Sequence, residues 1–465
     1  MVKNYQEAVE YLYSIGSNNR ILKPWGQFGF ERNKYLHDSA GNPQNSLKII
    51  HVAGTSGKGS TSYLIAKLLN SQGFKVGLDV SPHLLDIRER MQIFEKWSEN
   101  DILKQNLDTA SFISEEIFVE CLNKIIPAIE KTTHSFFGEP SFYEITTALA
   151  FAVFTHQKVD YAVVEVGAGG LIDSTNVIDN ENKLCVFTPQ GLDHQDLLGD
   201  TIAQIVFNDS GIIQKNNTSV SVYHSELGNQ ILSHFAAKNQ SHIYFLNPSN
   251  NITNLKNSDC STTFDFSIPD FKLQNVELGM IGSFQAQNCA LSLLALAVLS
   301  KRDSFTVDEL KLRDMLKKSR FKGRFEVFKI GNKTVVIDGA HNPQKMETFI
   351  DSLQNIYPER NFEFLLAIKS NKDYKEMLNP ILKCAKCIYT TDFDLGVGFK
   401  IFSVPAQQLR EDIINCNYHN VKSLGDLKSD LINIVDSNVE NILVVTGSLY
   451  LISLIYEDLQ NLSST

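Results

Sequence analysis

The sequence predicts an α/β protein with two doubly wound parallel-sheet domains, the first of which contains a phosphate-binding loop (P-loop). Apolar strand-like runs alternate with helix-like segments over most of the chain, which is typical of βαβ units. One charged segment interrupts this alternation, which then resumes. Because 465 residues are too many for one ordinary core, we predict one domain over residues 1–301 and a smaller Rossmann-like domain over residues 302–465.

The first domain is predicted to begin with an amphipathic helix, MVKNYQEAVEYLYSIG. There follow strand LKIIHVAG, helix SYLIAKLLNSQG, strand KVGLDVS, a helical region over about Asp101–Lys131, helix TTALAFAVFTHQ, and strands VDYAVVEVG and KLCVFTP. Between about Gly228 and Glu277 the polar, irregular pattern predicts loops and short antiparallel strands outside the main sheet. A buried helix, Gln287–Leu299, precedes the charged segment KRDSFTVDELKLRDMLKKSRFKGR, which we interpret as the domain junction.

The second domain repeats the alternation with shorter elements. Its predicted strands are KTVVIDG, NFEFLLAIK, IYTTD and NILVVTG, and its predicted helices are KMETFIDSLQNI, KEMLNPILKCA, AQQLREDIIN, LKSDLINIVD and SLYLISLIYEDLQ. Ligands of such sheets bind at the carboxyl ends of the strands. Two domains of this kind on either side of one ligand would form a cleft that can close.

The phosphate-binding loop is predicted from the segment Leu47–Ser62, LKIIHVAGTSGKGSTS. Its glycines allow backbone N–H groups to point at an anion, the next helix adds its positive end, and the lysine can neutralise a β- or γ-phosphate. The pattern is a variant of G-x-x-x-x-G-K-[ST], because Val52 replaces the first glycine and a glycine follows the lysine. We predict a nucleoside triphosphate as the ligand; a glycine-rich turn with an incidental lysine is the alternative. The candidate contacts are Gly54, Thr55, Gly57, Lys58, Gly59 and Ser60.

Composition and charge exclude several functional classes. The net charge of −10 and pI near 5.6 argue against electrostatic binding of nucleic acid. The longest nearly apolar run, Cys289–Leu299, is shorter than a membrane helix of about 20 residues. The seven cysteines form no disulfide framework, and Cys384 and Cys387 lack a second CxxC pair for zinc. We therefore expect a cytoplasmic monomer that acts on small molecules and binds neither nucleic acid nor membrane.

A triphosphate requires magnesium, which prefers hard oxygen ligands. Three candidate ligands end predicted strands: Ser81, Glu165 and His194, the last beside Asp193. Glu165 is the strongest, because a carboxylate after a buried strand is costly unless it faces a cation or polar ligand. A structural glutamate at a strand end, and a histidine used for packing, are the alternatives.

Two further turns offer groups for a nucleotide. Arg324 lies in RFKGRFEVF and could bind a phosphate, while Asp338 and His341 lie in the strand-to-helix turn VVIDGAHNP. Arginine offers paired donors to phosphate, and aspartate accepts from ribose hydroxyls. An ordinary surface arginine and a helix N-cap aspartate are the alternatives.

Together these motifs resemble the folylpolyglutamate synthase and dihydrofolate synthase family, a branch of the Mur ligases. The matching segments are IHVAGTSGKGS, SPHLLDIRERMQI, PSFYEITTALAF, VVEVGAGGLIDSTN, LDHQDLLG, GSFQAQNCAL, GRFE, DGAHNP and VTGSLYLI, in that order, from about Tyr5 to Leu459. The resemblance implies a Mur ligase-like fold. It also implies an ATP-dependent amide ligase that adds L-glutamate to folate, with dihydropteroate as a second acceptor.

The resemblance also implies a mechanism. A substrate carboxylate attacks the γ-phosphate of ATP to give an acyl phosphate, and the amino group of glutamate then displaces phosphate. By their positions in the motifs, Ser81, Glu165 and His194 are expected to bind Mg²⁺, and Asn288, Arg324 and Asp338 join the loop in binding ATP. Pro140, Ser141 and Asp173 are expected to contact the pterin-bearing substrate, and Lys58, His194, Asp209, Arg324 and His341 to act in catalysis.

The sequence departs from the family pattern at four positions, Ser56, Leu171, Asp209 and Phe284. Leu171 replaces an arginine expected near the pterin substrate. Asp209 stands in the segment that commonly holds a carbamylated lysine, and it keeps a negative charge on a shorter side chain. Two other interpretations therefore stay open: a non-catalytic paralogue that binds nucleotide or folate, and a P-loop kinase or NTPase.

Overall fold

The computed structural model describes residues 1–18, 26–96, 112–370, 372, 374–395, 401–437 and 441–463. The chain divides into two compact units. The first comprises Met1–Thr253, Phe264–Val276 and Gln287–Lys318, and the second comprises Asn254–Thr263, Glu277–Ala286 and Ser319–Thr465. The predicted junction segment therefore contributes its helix, residues 309–318, to the first unit.

The first unit is built on a seven-stranded sheet. Its strands are β1 (Ile49–Ala53), β2 (Val76–Asp79), β3 (Gln92–Phe94), β4 (Tyr161–Glu165), β5 (Leu184–Phe187), β6 (Thr218–Val222) and β7 (His242–Leu246). Their order is β3-β2-β4-β1-β5-β6-β7. Every neighbouring pair is parallel except β2 and β3, which are antiparallel. The central strands are buried over their whole length because helices cover both faces of a parallel sheet.

The helices of this part of the chain follow the predicted alternation. They are α1 (Tyr5–Asn18), α2 (Gln27–Ser39), α3 (Lys58–Ser71), α4 (Glu115–Thr133), α5 (Phe142–His156), α6 (Gln195–Leu198), α7 (Ile202–Ser210), α8 (Glu226–Lys238), α9 (Pro248–Asn251), α10 (Ser283–Arg302) and α11 (Glu309–Lys318). The predicted helical region from about Asp101 is only partly tested, because residues 101–111 lie outside the described residues.

The prediction for residues 228–277 was wrong in its first half. The structure places most of α8 and all of β7 there, so the parallel sheet continues by one strand beyond β6. An edge strand is covered on fewer sides than a central one, and β7 alternates between exposed and partly buried residues until Leu246. Its sequence, HIYFL, is short and mostly apolar, and the prediction missed it because polar residues surround it.

The second half of that segment does form a small separate sheet. Its strands β8 (Ile252–Asn257), β9 (Thr262–Ile268) and β10 (Phe271–Leu278) lie in the order β10-β9-β8. The two residues between β9 and β10 can only form a hairpin, so these two strands are antiparallel, as predicted.

Helix α10 is long and apolar enough to cross a membrane by length and composition alone. However, 72% of its most apolar 18-residue window is buried inside the protein. That is the environment of a core helix.

The second unit contains a six-stranded sheet. Its strands are β11 (Glu326–Ile330), β12 (Lys333–Asp338), β13 (Phe362–Leu366), β14 (Ala385–Thr390), β17 (Val421–Ser423) and β18 (Ile442–Thr446), in the order β11-β12-β18-β13-β14-β17. Only β11 is antiparallel to its neighbour. A two-stranded ribbon, β15 (Asp394–Leu395) and β16 (Ile401–Phe402), and five helices complete the unit: α12 (Pro343–Ile356), α13 (Tyr374–Cys384), α14 (Ala406–Asn415), α15 (Leu427–Val435) and α16 (Leu449–Ser463).

Candidate active site

The predicted phosphate loop joins β1 to α3, and two of its glycines are sterically required. Gly54 and Gly57 have φ values of +133° and +85°, in the region that L side chains rarely adopt. A β-carbon at Gly54 would overlap Thr188, and one at Gly57 would overlap the Asn288 side chain. Asn288, on α10, therefore lies directly against the loop.

The polar groups of the loop are held by nearby backbone atoms. Lys58 is half-buried, and its Nζ donates a hydrogen bond of 2.7 Å to the carbonyl of Gly54. The backbone amides of Thr55 and Ser56 donate to the carbonyl of Pro189 at 3.1 and 3.0 Å. The loop is thus a compact turn at the N-terminus of α3, where the helix dipole favours an anion.

Two of the predicted metal ligands are brought together at the carboxyl ends of β2 and β4. Oε2 of Glu165 accepts a 2.9 Å hydrogen bond from the backbone amide of Ser81. Glu165 is 7% exposed, so its carboxylate is withdrawn from bulk water. His194, by contrast, is exposed at the N-cap of α6 and has a φ of 51°.

Asp79 and Arg90 join this edge of the sheet, although the sequence interpretation did not select them. Burial raises the pKa of Asp79 well above its usual range; the charge of Arg90 opposes this, and the carboxylates of Glu165 and Asp173 add to it. Asp79 is the last residue of its strand, VGLD, in the same way that Glu165 is the last residue of YAVVE. That shared pattern could have identified it.

The predicted substrate residues are held by capping interactions. Pro140 is buried, and Ser141 is the N-cap of α5, its Oγ accepting from the amide of Glu144 at 3.3 Å. Asp173 is buried at the start of a short helical turn, where Oδ1 accepts from the amide of Thr175 at 2.9 Å and from its hydroxyl at 2.6 Å. Burial raises the pKa of Asp173, while the hydrogen bonds from Thr175 lower it.

Asp209 lies in the last turn of α7 and is 2% exposed. Burial raises its pKa to about 6, while the positive charge of Lys58 lowers it. Its Oδ2 is buried and has no hydrogen-bond partner. Thr201, and not Asp209, caps α7, so the capping explanation of Asp209 is excluded for this helix.

In the second unit, Arg324, Asp338 and His341 surround the end of β12. The two oxygens of Asp338 accept hydrogen bonds of 2.8 Å from the amides of Phe325 and Ala340. Burial raises the pKa of Asp338, and the charge of Arg324 opposes this. The Nδ1 of His341 lies 2.7 Å from the carbonyl of Gly339.

Two family models match the chain. Residues 133–296 match the Mur ligase middle domain, and residues 324–458 match the C-terminal domain of dihydrofolate synthetase. A Bacillus subtilis dihydrofolate synthase/folylpolyglutamate synthase is 29% identical over 97% of this chain and 98% of its own length. The chain belongs to the folylpolyglutamate synthase and dihydrofolate synthase family.

Solved structures of this family have the same fold. Folylpolyglutamate synthase from Thermotoga maritima is 27% identical, with a TM-score of 0.79, and the match covers 98% of this chain and 96% of that one. An FPGS–AMPPCP–folate complex is 25% identical, with a TM-score of 0.79 and coverage of 98% and 100%. The predicted family, the Mur ligase-like α/β fold and the enzyme class, a ligase that forms carbon–nitrogen bonds, are thereby confirmed.

Proposed function

We propose that this protein joins L-glutamate to the carboxyl group of a folate in a reaction driven by ATP, and that dihydropteroate is a second acceptor. The observation that carries the proposal is the phosphate loop, with Lys58 beside two glycines that admit no side chain, in a unit that also pairs Glu165 with Ser81. The two activities named for the family support the choice of acceptors. We further propose a cytoplasmic monomer that acts only on small molecules.

The loop provides the groups that a triphosphate needs. Lys58 Nζ is within 2.7 Å of a neutral carbonyl, a partner that a phosphate oxygen can replace with a stronger charge-assisted bond. Asn288 lies beside Gly57 and can contact the same nucleotide. The proposed ATP contacts in the first unit are Gly54, Thr55, Gly57, Lys58, Gly59, Ser60 and Asn288.

The residues at the ends of β2 and β4 fit Mg²⁺. The Ser81 hydroxyl and the Glu165 carboxylate are hard oxygen donors, and His194 is the third proposed ligand. No group of three or more His, Cys, Asp or Glu side chains that could hold a metal ion occurs among the described residues. Mg²⁺ usually takes its remaining ligands from water and substrate phosphates. When bound, the ion would neutralise charge on the phosphates.

The proposed reaction has two steps. A carboxylate oxygen of the acceptor forms a bond to the γ-phosphorus, the bond from that phosphorus to the β–γ bridging oxygen breaks, and ADP leaves. The glutamate amine then forms the C–N bond, loses a proton, and phosphate leaves. Pro140, Ser141 and Asp173 are proposed to hold the acceptor, and Lys58 and Arg324 to stabilise charge. Asp338 is proposed to bind ATP together with Arg324. The remaining proposed catalytic residues are His194, Asp209 and His341.

Release of ADP with glutamate and a panel of pteroate and folate acceptors tests the proposal. We expect release that requires both glutamate and an acceptor. A kinase or NTPase would release ADP without glutamate, and a non-catalytic paralogue would release none. Either result contradicts the proposed function.

A further inference from the structure

A buried ion pair joins α2 to the beginning of α5. Nε of Arg32 donates to Oε1 and Oε2 of Glu144 at 3.2 and 3.0 Å, and Nη2 donates to Oε1 at 3.0 Å. The two side chains are 0% and 2% exposed. A fully buried pair of this kind is weak evidence for stability, because desolvation of both charges offsets their attraction. The paired hydrogen bonds nevertheless fix the position of the Glu144 carboxylate and of the groups that bond to it.

Glu144 holds one of the proposed acceptor segments. Its Oε2 accepts a hydrogen bond from the backbone amide of Ser141, while the Ser141 hydroxyl accepts from the amide of Glu144. This reciprocal capping box ties the residues before α5 to one carboxylate. Because Arg32 binds the same carboxylate from α2, it fixes the segment that contains Pro140 and Ser141.

The next residue of α2 holds the other proposed acceptor segment. Nδ2 of Asn33, which is fully buried, donates a 2.7 Å hydrogen bond to the carbonyl of Ser174. Ser174 directly follows Asp173, whose Oδ2 accepts from the amide of Ala168 at 3.0 Å. Asn33 thus anchors the turn in which the Asp173 carboxylate is oriented.

Both α2 side chains keep an unsatisfied polar atom. Arg32 Nη1 and Asn33 Oδ1 are buried and have no hydrogen-bond partner. An unsatisfied buried polar group costs about 1–3 kcal/mol. These two contacts therefore stabilise the fold by less than their hydrogen bonds alone would suggest.

We propose that Arg32 and Asn33 are positioning residues for the acceptor. From adjacent positions on one helix, Arg32 holds the Pro140–Ser141 segment and Asn33 holds the Asp173 turn. This inference rests on the proposed function, which assigns acceptor binding to those segments. Neither Glu144 nor Ser174 belongs to the phosphate loop, so loss of either α2 contact should weaken the use of the acceptor while leaving the use of ATP unchanged.

Steady-state kinetics of Arg32→Lys and Asn33→Ser test this inference, with folate and dihydropteroate as acceptors. We expect the KM for the acceptor to rise about tenfold or more, because small displacements of positioning groups have large effects. The KM for ATP should stay within about twofold of the wild-type value. Thermal melting of each variant, with calorimetric binding of folate, separates displacement from unfolding.

Lys333→Met in the second unit is the matched control. Lys333 Nζ forms a buried pair with Glu363 at 2.8 Å, with side chains 2% and 10% exposed. We expect this variant to lose thermal stability with the acceptor KM unchanged. Folded Arg32 and Asn33 variants with unchanged acceptor KM, or with equal rises in the KM for ATP and acceptor, would overturn the positioning role alone. A wild-type protein without glutamate-dependent ADP release would overturn the proposed function and this inference with it.

Discussion

The backbone amide of Ser81 donates a 2.9 Å hydrogen bond to Oε2 of Glu165. This contact joins the ends of the neighbouring parallel strands β2 and β4. It satisfies one lone pair of a carboxylate that is 7% exposed. The backbone of Ser81 is thereby held next to that carboxylate.

Glu165→Gln should raise the Mg²⁺ concentration needed for half-maximal activity and lower kcat. The amide keeps the size of the side chain and an oxygen for the Ser81 amide, but it loses the charge that holds a divalent cation. ADP release is measured against Mg²⁺ concentration at saturating substrates. An unchanged Mg²⁺ dependence would make Glu165 a structural residue at the end of its strand.

Lys58→Ala should lower turnover by about a hundredfold or more, because electrostatic stabilisation of phosphate charge is lost. The fold should be retained, since Lys58 is half-buried and its Nζ donates to the nearby loop carbonyl of Gly54. Circular dichroism melting and ADP release measure the two effects. A variant that melts normally and keeps wild-type ADP release would remove Lys58 from the mechanism.

Asp209→Ala should lose most of the activity, and Asp209→Lys should be active only with bicarbonate, which can convert the lysine to a carbamate. The reason is the position of Asp209, buried within the influence of Lys58 and with Oδ2 unpaired. ADP release is compared for the Ala, Asn and Lys variants with and without bicarbonate. Full activity of Asp209→Ala, or of Asp209→Lys without bicarbonate, is the contrary result.

Asp209→Asn should raise thermal stability at pH 8 and lose that advantage near pH 4. Burial raises the pKa of Asp209 from 3.8 to about 6, so the wild-type fold loses stability as the pH rises through this window. The neutral amide avoids this loss in the free energy of unfolding, which reaches about 2–3 kcal/mol once Asp209 is fully ionised. Melting temperatures of both proteins from pH 4 to 8 measure it. An advantage that is the same at every pH would show that ionisation of Asp209 is not its cause.

Local patterns were sufficient for most of the fold. The central strands β1, β4 and β5 are short apolar runs between polar turns. This composition located them in the sequence, and its cause is that both faces of a central parallel strand are buried. The edge strand β7 was not located in this way, because its five residues, HIYFL, lie within a longer polar stretch and only Leu246 is fully buried. Its assignment depends on pairing with β6, a partner more than 20 residues away in sequence.

In the candidate site, too, local features could be predicted from the sequence, while contacts between distant residues could not. The sequence by itself determined the phosphate loop, because glycine spacing and a following helix are local properties of Gly54 to Ser60. It also placed Glu165 at the end of a strand and Ser81 close to the end of another, which the structure ends at Asp79, but only the tertiary structure decided that the two residues are bonded. Asn288 is brought to Gly57 from α10, and Arg32 is paired with Glu144 across more than 100 residues of chain. Such contacts depend on how helices pack against the sheet, and a pattern that repeats every two or four residues carries no information on them.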